Sequence, residues 1–301
     1  MRYIEAAQKG KRSTWLYAGG IALLVLLYIL GSLPLFLDWQ MRFPGTELTL
    51  DDATMIEQFG KLRLFFWMLF PFTLLFFGLL IYLVLIHKRR LLDIFTATKH
   101  FRWSRFFWFA GILSVLLSVV SILPFAISNE LNTILHWNFN AQKFFPLLAL
   151  SLLFIPIQAA AEELIFRVYA LQGLYARTGR IWLSMLLSAV LFATVHGSNP
   201  EIQALGPAII LYYFMAGFFL ALITVQNNGL ELALAYHSIN NLFSAVVISS
   251  TWQVFHTDAL WLDTSAPGSA WSHLLIGGLF FIGLYFILAK KFHWKSLGEL
   301  H

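Results

Sequence analysis

The sequence contains no cysteine. Disulfides, thiolate metal centres, a cysteine nucleophile and lipid anchors on cysteine are excluded together. Charge is scarce too: Asp, Glu, Lys and Arg make up 12% of the 301 residues, about half the share in an ordinary soluble domain. No internal repeat, low-complexity tract or polar domain interrupts the chain. The missing repeat speaks against common transporter architectures, which are built from duplicated halves. Hydrophobic residues fill the sequence instead, at 59% of the total. A soluble protein of this length has no interior large enough for that much apolar surface, so the solvent is largely lipid.

Windows of roughly 17–25 apolar residues read as membrane-spanning helices. Eight such windows are expected, at 15–37, 62–87, 106–128, 144–175, 181–197, 207–226, 229–250 and 271–290. The fold class is therefore an all-α polytopic bundle, with the whole chain, 1–301, forming one integral membrane domain. Pro156 is expected to kink the long fourth span or to mark a lipid-facing entry segment. The first window is too long for a secretory signal and has no small-residue cleavage site, so it reads as a true span.

The charges test this count. Arg2, Lys9, Lys11 and Arg12 precede the first span, and the next connection is acidic, with Asp38, Glu47, Asp51, Asp52 and Glu57. Lys88, Arg89, Arg90, Lys99, Arg102 and Arg105 follow the second span, and Arg177 and Arg180 follow the fourth. Asp258 and Asp263 lie before the last span, and Lys290, Lys291 and Lys295 end it. The alternation obeys the positive-inside rule with both termini cytoplasmic, and an odd span count breaks it. The excess of 20 Lys and Arg over 15 Asp and Glu is thus topology, with no nucleic-acid partner implied. Trp15, Trp39, Trp103, Trp182, Trp252, Trp271 and Trp294 fall near span ends, where an interfacial aromatic belt belongs. A bacterial inner (plasma) membrane is the expected setting.

Ionisable groups inside spans cost about 2.5–3.5 kcal/mol each at the helix centre on insertion scales, so each demands a reason. Those here are Glu162, Glu163, Arg167, His196 and His237, with Asn240 and Asn241 beside them. Glu231 follows "NNG" in the first turn of its helix, where a carboxylate complements the helix dipole. Glu163 and Arg167 are i and i+4 with the acid first, the favourable order for a helical ion pair. Glu162 points about 100° away around the helix with no local partner, so it is the carboxylate left for chemistry. In "LFATVHG", Phe192 lies one turn from His196 and limits its rotamers. His237, Asn241 and Ser244 share one polar stripe. Glu162 precedes Gly179 by as many residues as His196 follows it, so a hairpin turning at Gly179 sets the two at one level.

Taken singly, each residue has a bland reading. A lone membrane histidine or asparagine more often bonds between helices, and a Glu–Arg pair more often serves packing. Their conjunction on neighbouring helices points to a site.

"EELIFR" fits E-E-x-x-x-R, "FATVH" fits F-x-x-x-H and "HSINN" fits H-x-x-x-N, in that order. In this the chain resembles the CPBP family of intramembrane endopeptidases, which includes CAAX prenyl proteases and bacteriocin-processing or immunity-type proteins. The matching core covers 144–250. The resemblance implies a bundle of about eight spans and peptide-bond hydrolysis within the membrane, on membrane-associated or lipidated peptide or protein substrates. It implies Glu162 as general base, His196 as its partner in activating water, Glu163 and Arg167 as a supporting pair, and His237 and Asn241 as oxyanion stabilisers. The chemistry agrees: a carboxylate withdrawn from water is a stronger base, and imidazole and amide N–H groups can donate to an oxyanion. Two mechanisms stay open. One uses no metal or other cofactor; the other holds zinc on Glu162, His196 and His237, a residue set that zinc accepts. Two other functions stay open as well: a non-catalytic immunity or chaperone-like protein on the same scaffold, and an ion-coupled transporter.

Overall fold

The computed structural model describes residues 2–45, 52–128, 130 and 133–299. Of the acidic connection, Glu47 and Asp51 lie outside the described residues. The elements run α1 (Thr14–Arg42), α2 (Asp52–Phe59), α3 (Lys61–Leu85), α4 (Leu91–Phe95), α5 (Trp103–Ile127) and β1 (Leu135–Trp137). They continue with α6 (Ala141–Glu163), a π-helical segment (Leu164–Leu171), α7 (Gln172–Thr178), α8 (Ile181–Val195) and α9 (Pro200–Leu205). Last come α10 (Ile210–Asn227), α11 (Glu231–Leu242), a second π segment (Phe243–Val247), β2 (Ile248–Ser250), β3 (Trp261–Asp263) and α12 (Ala270–Phe292).

Among the described residues, six helical runs are long and apolar enough to cross a membrane: α1, α3, α5, the run Ala141–Thr178, Pro207–Asn227 and α12. Their outer faces expose apolar side chains such as Val25, Phe77, Val115, Leu152 and Leu279, as a lipid-facing surface does. The other two expected spans are shorter. α8 has 15 residues. α11 has 12 and continues for 5 more as the π segment before the chain becomes strand at Ile248. The reason lies in position: α11 is packed against α5, α6 and α10, and Glu231 to Ser238 are all buried. A helix enclosed by other helices need not match the thickness of the bilayer.

The chain is mostly helical, not wholly so. Outside the helices, β3 pairs antiparallel with β1 and parallel with β2. The sheet is joined to the second π segment by Leu260 N–H donating to Val246 O at 3.0 Å. Pairing satisfies backbone groups that the connecting segments otherwise leave open. Trp39 departs from the expected interfacial belt. It is buried under α2 with Met55, Phe59 and Leu64, whereas Trp15, Trp103 and Trp271 are exposed.

The fourth run is one helix of 38 residues, about 57 Å at the α-helical rise. Pro146 and Pro156 lie within it, and the departure from α geometry comes later, in the π segment that starts directly after Glu163. A π turn shifts the hydrogen-bond ladder to i→i+5. Ser188 Oγ of α8 donates to Phe166 O inside that segment at 2.8 Å, tying the altered ladder to the neighbouring helix.

Glu231 does open its helix, but its carboxylate is fully buried and answers a specific partner. Arg102 Nε and Nη2 reach its two oxygens at 2.8 and 2.7 Å, and Asn227 Nδ2 adds a third donor at 2.8 Å. Gly229 makes this cluster fit. A Cβ there would run into Glu231 Oε2 and stand 2.8 Å from Arg102 Nη2, both held rigid. Gly229→Ala is therefore expected to cost about 1–3 kcal/mol through overpacking, read as a lower thermal unfolding midpoint of the detergent-purified protein.

Candidate active site

Gly179 takes φ 64°, a left-handed value that favours glycine, and closes α7 with its N–H on Tyr175 O. The chain reverses there, and α8 returns beside the π segment. Glu162 and His196 meet across this hairpin, Glu162 Oε2 standing 4.0 Å from His196 Nε2. His237 of α11 completes the group, with Nε2 3.5 Å from the same oxygen. The α6 approach is made by Ala159 and Ala161, both fully buried, since small residues let helix backbones come close.

Glu163 has two partners. Its Oε2 lies 3.3 Å from Arg167 Nε, the i, i+4 pair, with both side chains fully buried. Its Oε1 lies 2.7 Å from His237 Nδ1. A carboxylate accepts, so Nδ1 carries the proton and Nε2 is turned toward Glu162. Arg167 is held from other sides as well. Its guanidinium carbon sits 4.8 Å from the Phe192 ring centre, and Nη2 donates to Gly217 O at 3.3 Å. Gly217 permits this because α10 crosses α8 closely: a Cβ there would stand 3.0 Å from Phe192 Cβ.

Phe192 thus lies between two functional groups. Beyond Arg167 it packs against the His196 ring at 4.3 Å between centres. Tyr213 of α10 lies against the same imidazole at 4.6 Å, nearly parallel. His196 itself is the residue after α8, and its Nδ1 donates to Phe192 O at 2.7 Å. Its Nε2 therefore also faces Glu162 as a lone pair when the ring is neutral.

Glu162 does have a local partner, contrary to the expectation from helical phase. Gln158, one turn earlier on the same face, donates its amide to Glu162 Oε1. The carboxylate accepts only, which fixes the orientation of the Gln158 amide and turns its Oε1 outward. That oxygen accepts from Asn241 Nδ2 at 2.9 Å, and Asn241 Oδ1 accepts from Asn240 Nδ2 at 3.2 Å. Gln158 is thus the polar residue that the reading of single charges missed; its i−4 spacing from Glu162 is the signal for it. Ser244 falls in the second π segment, where the wider turn breaks the α-helical phase linking it to His237 and Asn241.

Glu162 Oε2 is buried and makes no direct hydrogen bond. Around it stand two imidazole nitrogens, while the other carboxylate oxygen is occupied by Gln158. As a donor set, two histidines and a glutamate suit zinc, but no group of three or more His, Asp or Glu side chains is arranged to hold a metal ion among the described residues.

Fold and site together define a mostly helical, multi-pass membrane protein with a buried carboxylate–imidazole–amide centre. Residues 141–243 match the family model Rce1-like, Type II CAAX prenyl endopeptidase Rce1-like. All three motif segments fall inside that stretch. The chain is also similar to "Uncharacterized protein YyaK" of Bacillus subtilis (strain 168), 27% identical over 250 residues, which is 82% of each chain. No solved structure matches.

Proposed function

We propose that the protein is an intramembrane endopeptidase that hydrolyses peptide bonds of membrane-associated or lipidated substrates with a glutamate-activated water. One observation carries the reading: Glu162 Oε2 is buried and directly unbonded, with His237 Nε2 at 3.5 Å and His196 Nε2 at 4.0 Å. These spacings are longer than good hydrogen bonds and suit groups that share one water molecule. Water donating to Glu162 and to Nε2 of His196 has its oxygen lone pairs free to attack a carbonyl carbon. Glu162 takes the proton as the C–O bond forms. The oxyanion then accepts from the second Asn241 N–H and from Nε2–H of His237 carrying protons on both ring nitrogens, with Nδ1–H donating to Glu163 behind it. Collapse breaks the C–N bond, and the proton held by Glu162 passes to the leaving amine.

The reading extends to topology. Eight crossings, with α8 and α11 as the two short ones, place both termini and the basic connections in the cytoplasm. A plasma-membrane location follows the same assignment. The metal-free mechanism is preferred because Asn241, held by Gln158 through one N–H, keeps a second N–H for an oxyanion and lies outside the His₂Glu set.

Profiling of new N-termini in membranes with and without the intact protein tests the function. Peptides that appear only with the wild-type chain support it; identical profiles for wild type and Glu162→Gln overturn it. A chelation arm tests the mechanism. Cleavage is expected to persist after dialysis against EDTA, with metal well below one equivalent. Loss of activity that added zinc restores would move the mechanism to Glu162, His196 and His237 as zinc ligands.

A further inference from the structure

One end of the bundle is poor in cations. The connections 43–60, 128–140, 197–209 and 248–269 contain no Lys or Arg. The cations of this end stand instead at helix ends: Arg42 on α1, Lys61 and Arg63 on α3, and Lys143 on α6. They are gathered in one place. Lys61, Arg63 and Lys143 line a cleft of about 860 Å³ between α3 and α6, with Ile56 and Phe59 of α2 as a further wall.

Among the described residues, two carboxylates answer these four cations. Asp38 accepts from Arg63 Nε at 2.6 Å and from Trp67 Nε1 at 2.8 Å, and Arg42 approaches it at 3.4 Å. Asp258 is shared by Lys61 at 3.8 Å and Lys143 at 4.0 Å, two long contacts to one carboxylate. The two lysines therefore carry positive charge beyond what Asp258 neutralises. Glu57 on α2 is exposed and does not line the cleft. His256 adds no charge at neutral pH, because burial and the Lys61 ammonium push its pKa below the ordinary histidine value.

Polarity changes with depth. Trp67 lies about 9 Å along α3 from Lys61, and Leu150 about 10 Å along α6 from Lys143. With Phe66 they line the cleft below its charged rim. Cationic at its rim and apolar beyond it, on a helix that also exposes the apolar Phe145 and Leu153, the cleft complements an anionic phospholipid. Glu162 is about 28 Å along the helix from Lys143, so the cleft is separate from the reacting centre.

We infer that this cleft is a binding site for one anionic phospholipid, its phosphate held by Lys61 and Lys143 and its acyl chains lying along Phe66, Trp67 and Leu150. The site is independent of the catalytic reading and survives or fails without it. Native mass spectrometry of the detergent-purified full chain, titrated with dioleoyl phosphatidylglycerol or dioleoyl phosphatidylcholine, tests it. The wild type is expected to bind the first phosphatidylglycerol about tenfold more tightly than phosphatidylcholine. Lys61→Ala/Lys143→Ala is expected to lose that preference, whereas Lys290→Ala/Lys291→Ala at the other end keeps it. Leu150→Trp, which retains every charge, is expected to weaken binding of the first phosphatidylglycerol by filling the floor. Equal affinity for the two lipids in the wild type, an unchanged preference in Lys61→Ala/Lys143→Ala, or unchanged binding in Leu150→Trp each overturns the proposal. So does a photoreactive residue at position 150 that captures peptide and no lipid in membranes.

Discussion

Glu162→Gln is expected to reduce cleavage by at least about 10²–10⁴-fold, the contribution of a positioned general base, while the protein still folds. The substitution keeps the size and shape of the side chain. Its carbonyl oxygen can still accept from the Gln158 amide, as Oε1 does now. The other position changes from an acceptor to an amide donor, directed at Nε2 of His196 and of His237. An amide cannot take a proton from water at neutral pH, so the step that makes the nucleophile is lost. Measuring turnover of a cleaved membrane peptide beside the thermal midpoint separates chemistry from folding. A variant that keeps more than a tenth of wild-type activity would remove Glu162 from the role of base.

The likelihood that this site could be read from sequence differed residue by residue, and physical range explains the difference. The Glu163–Arg167 pair and the Phe192–His196 contact are local, one helical turn apart, and periodicity alone reaches them. The meeting of Glu162 and His196 was also within reach, because a single turn at Gly179 relates their levels. Contacts set by a third helix were not. That Glu163 also holds His237 depends on the rotation of α11, which short-range spacing does not encode. Gln158 was passed over because a neutral amide in a span raises no alarm, although its i−4 position joins Glu162 to Asn241. The π segments were invisible for another reason: the change in ladder after Glu163 and after Leu242 depends on packing against α8 and the small sheet, not on local propensity. The same holds for Trp39, whose burial depends on packing by α2, a short helix outside any hydrophobic window.

Arg167→Ala is expected to act on stability, costing about 3–5 kcal/mol, the usual result of removing one partner from a buried ion pair. Arg167 and Glu163 are both fully buried, so no solvent reaches the carboxylate once the guanidinium is gone. His237 still donates to Glu163 Oε1, but Oε2 is left facing a cavity lined by the Phe192 ring and the Gly217 carbonyl. Three helical elements lose a common tie, because Arg167 on the π segment touches Phe192 of α8 and Gly217 of α10 at once. Thermal unfolding in detergent reads the loss as a markedly lower midpoint, and Arg167→Lys is expected to fall between the two, since it keeps the charge without the planar guanidinium over Phe192. The comparison with Glu162→Gln decides the division of labour. If both variants lose folded protein to the same extent, the two adjacent carboxylates share one structural task. If only Arg167→Ala melts early, Glu163 belongs to the frame and Glu162 is free for the reaction.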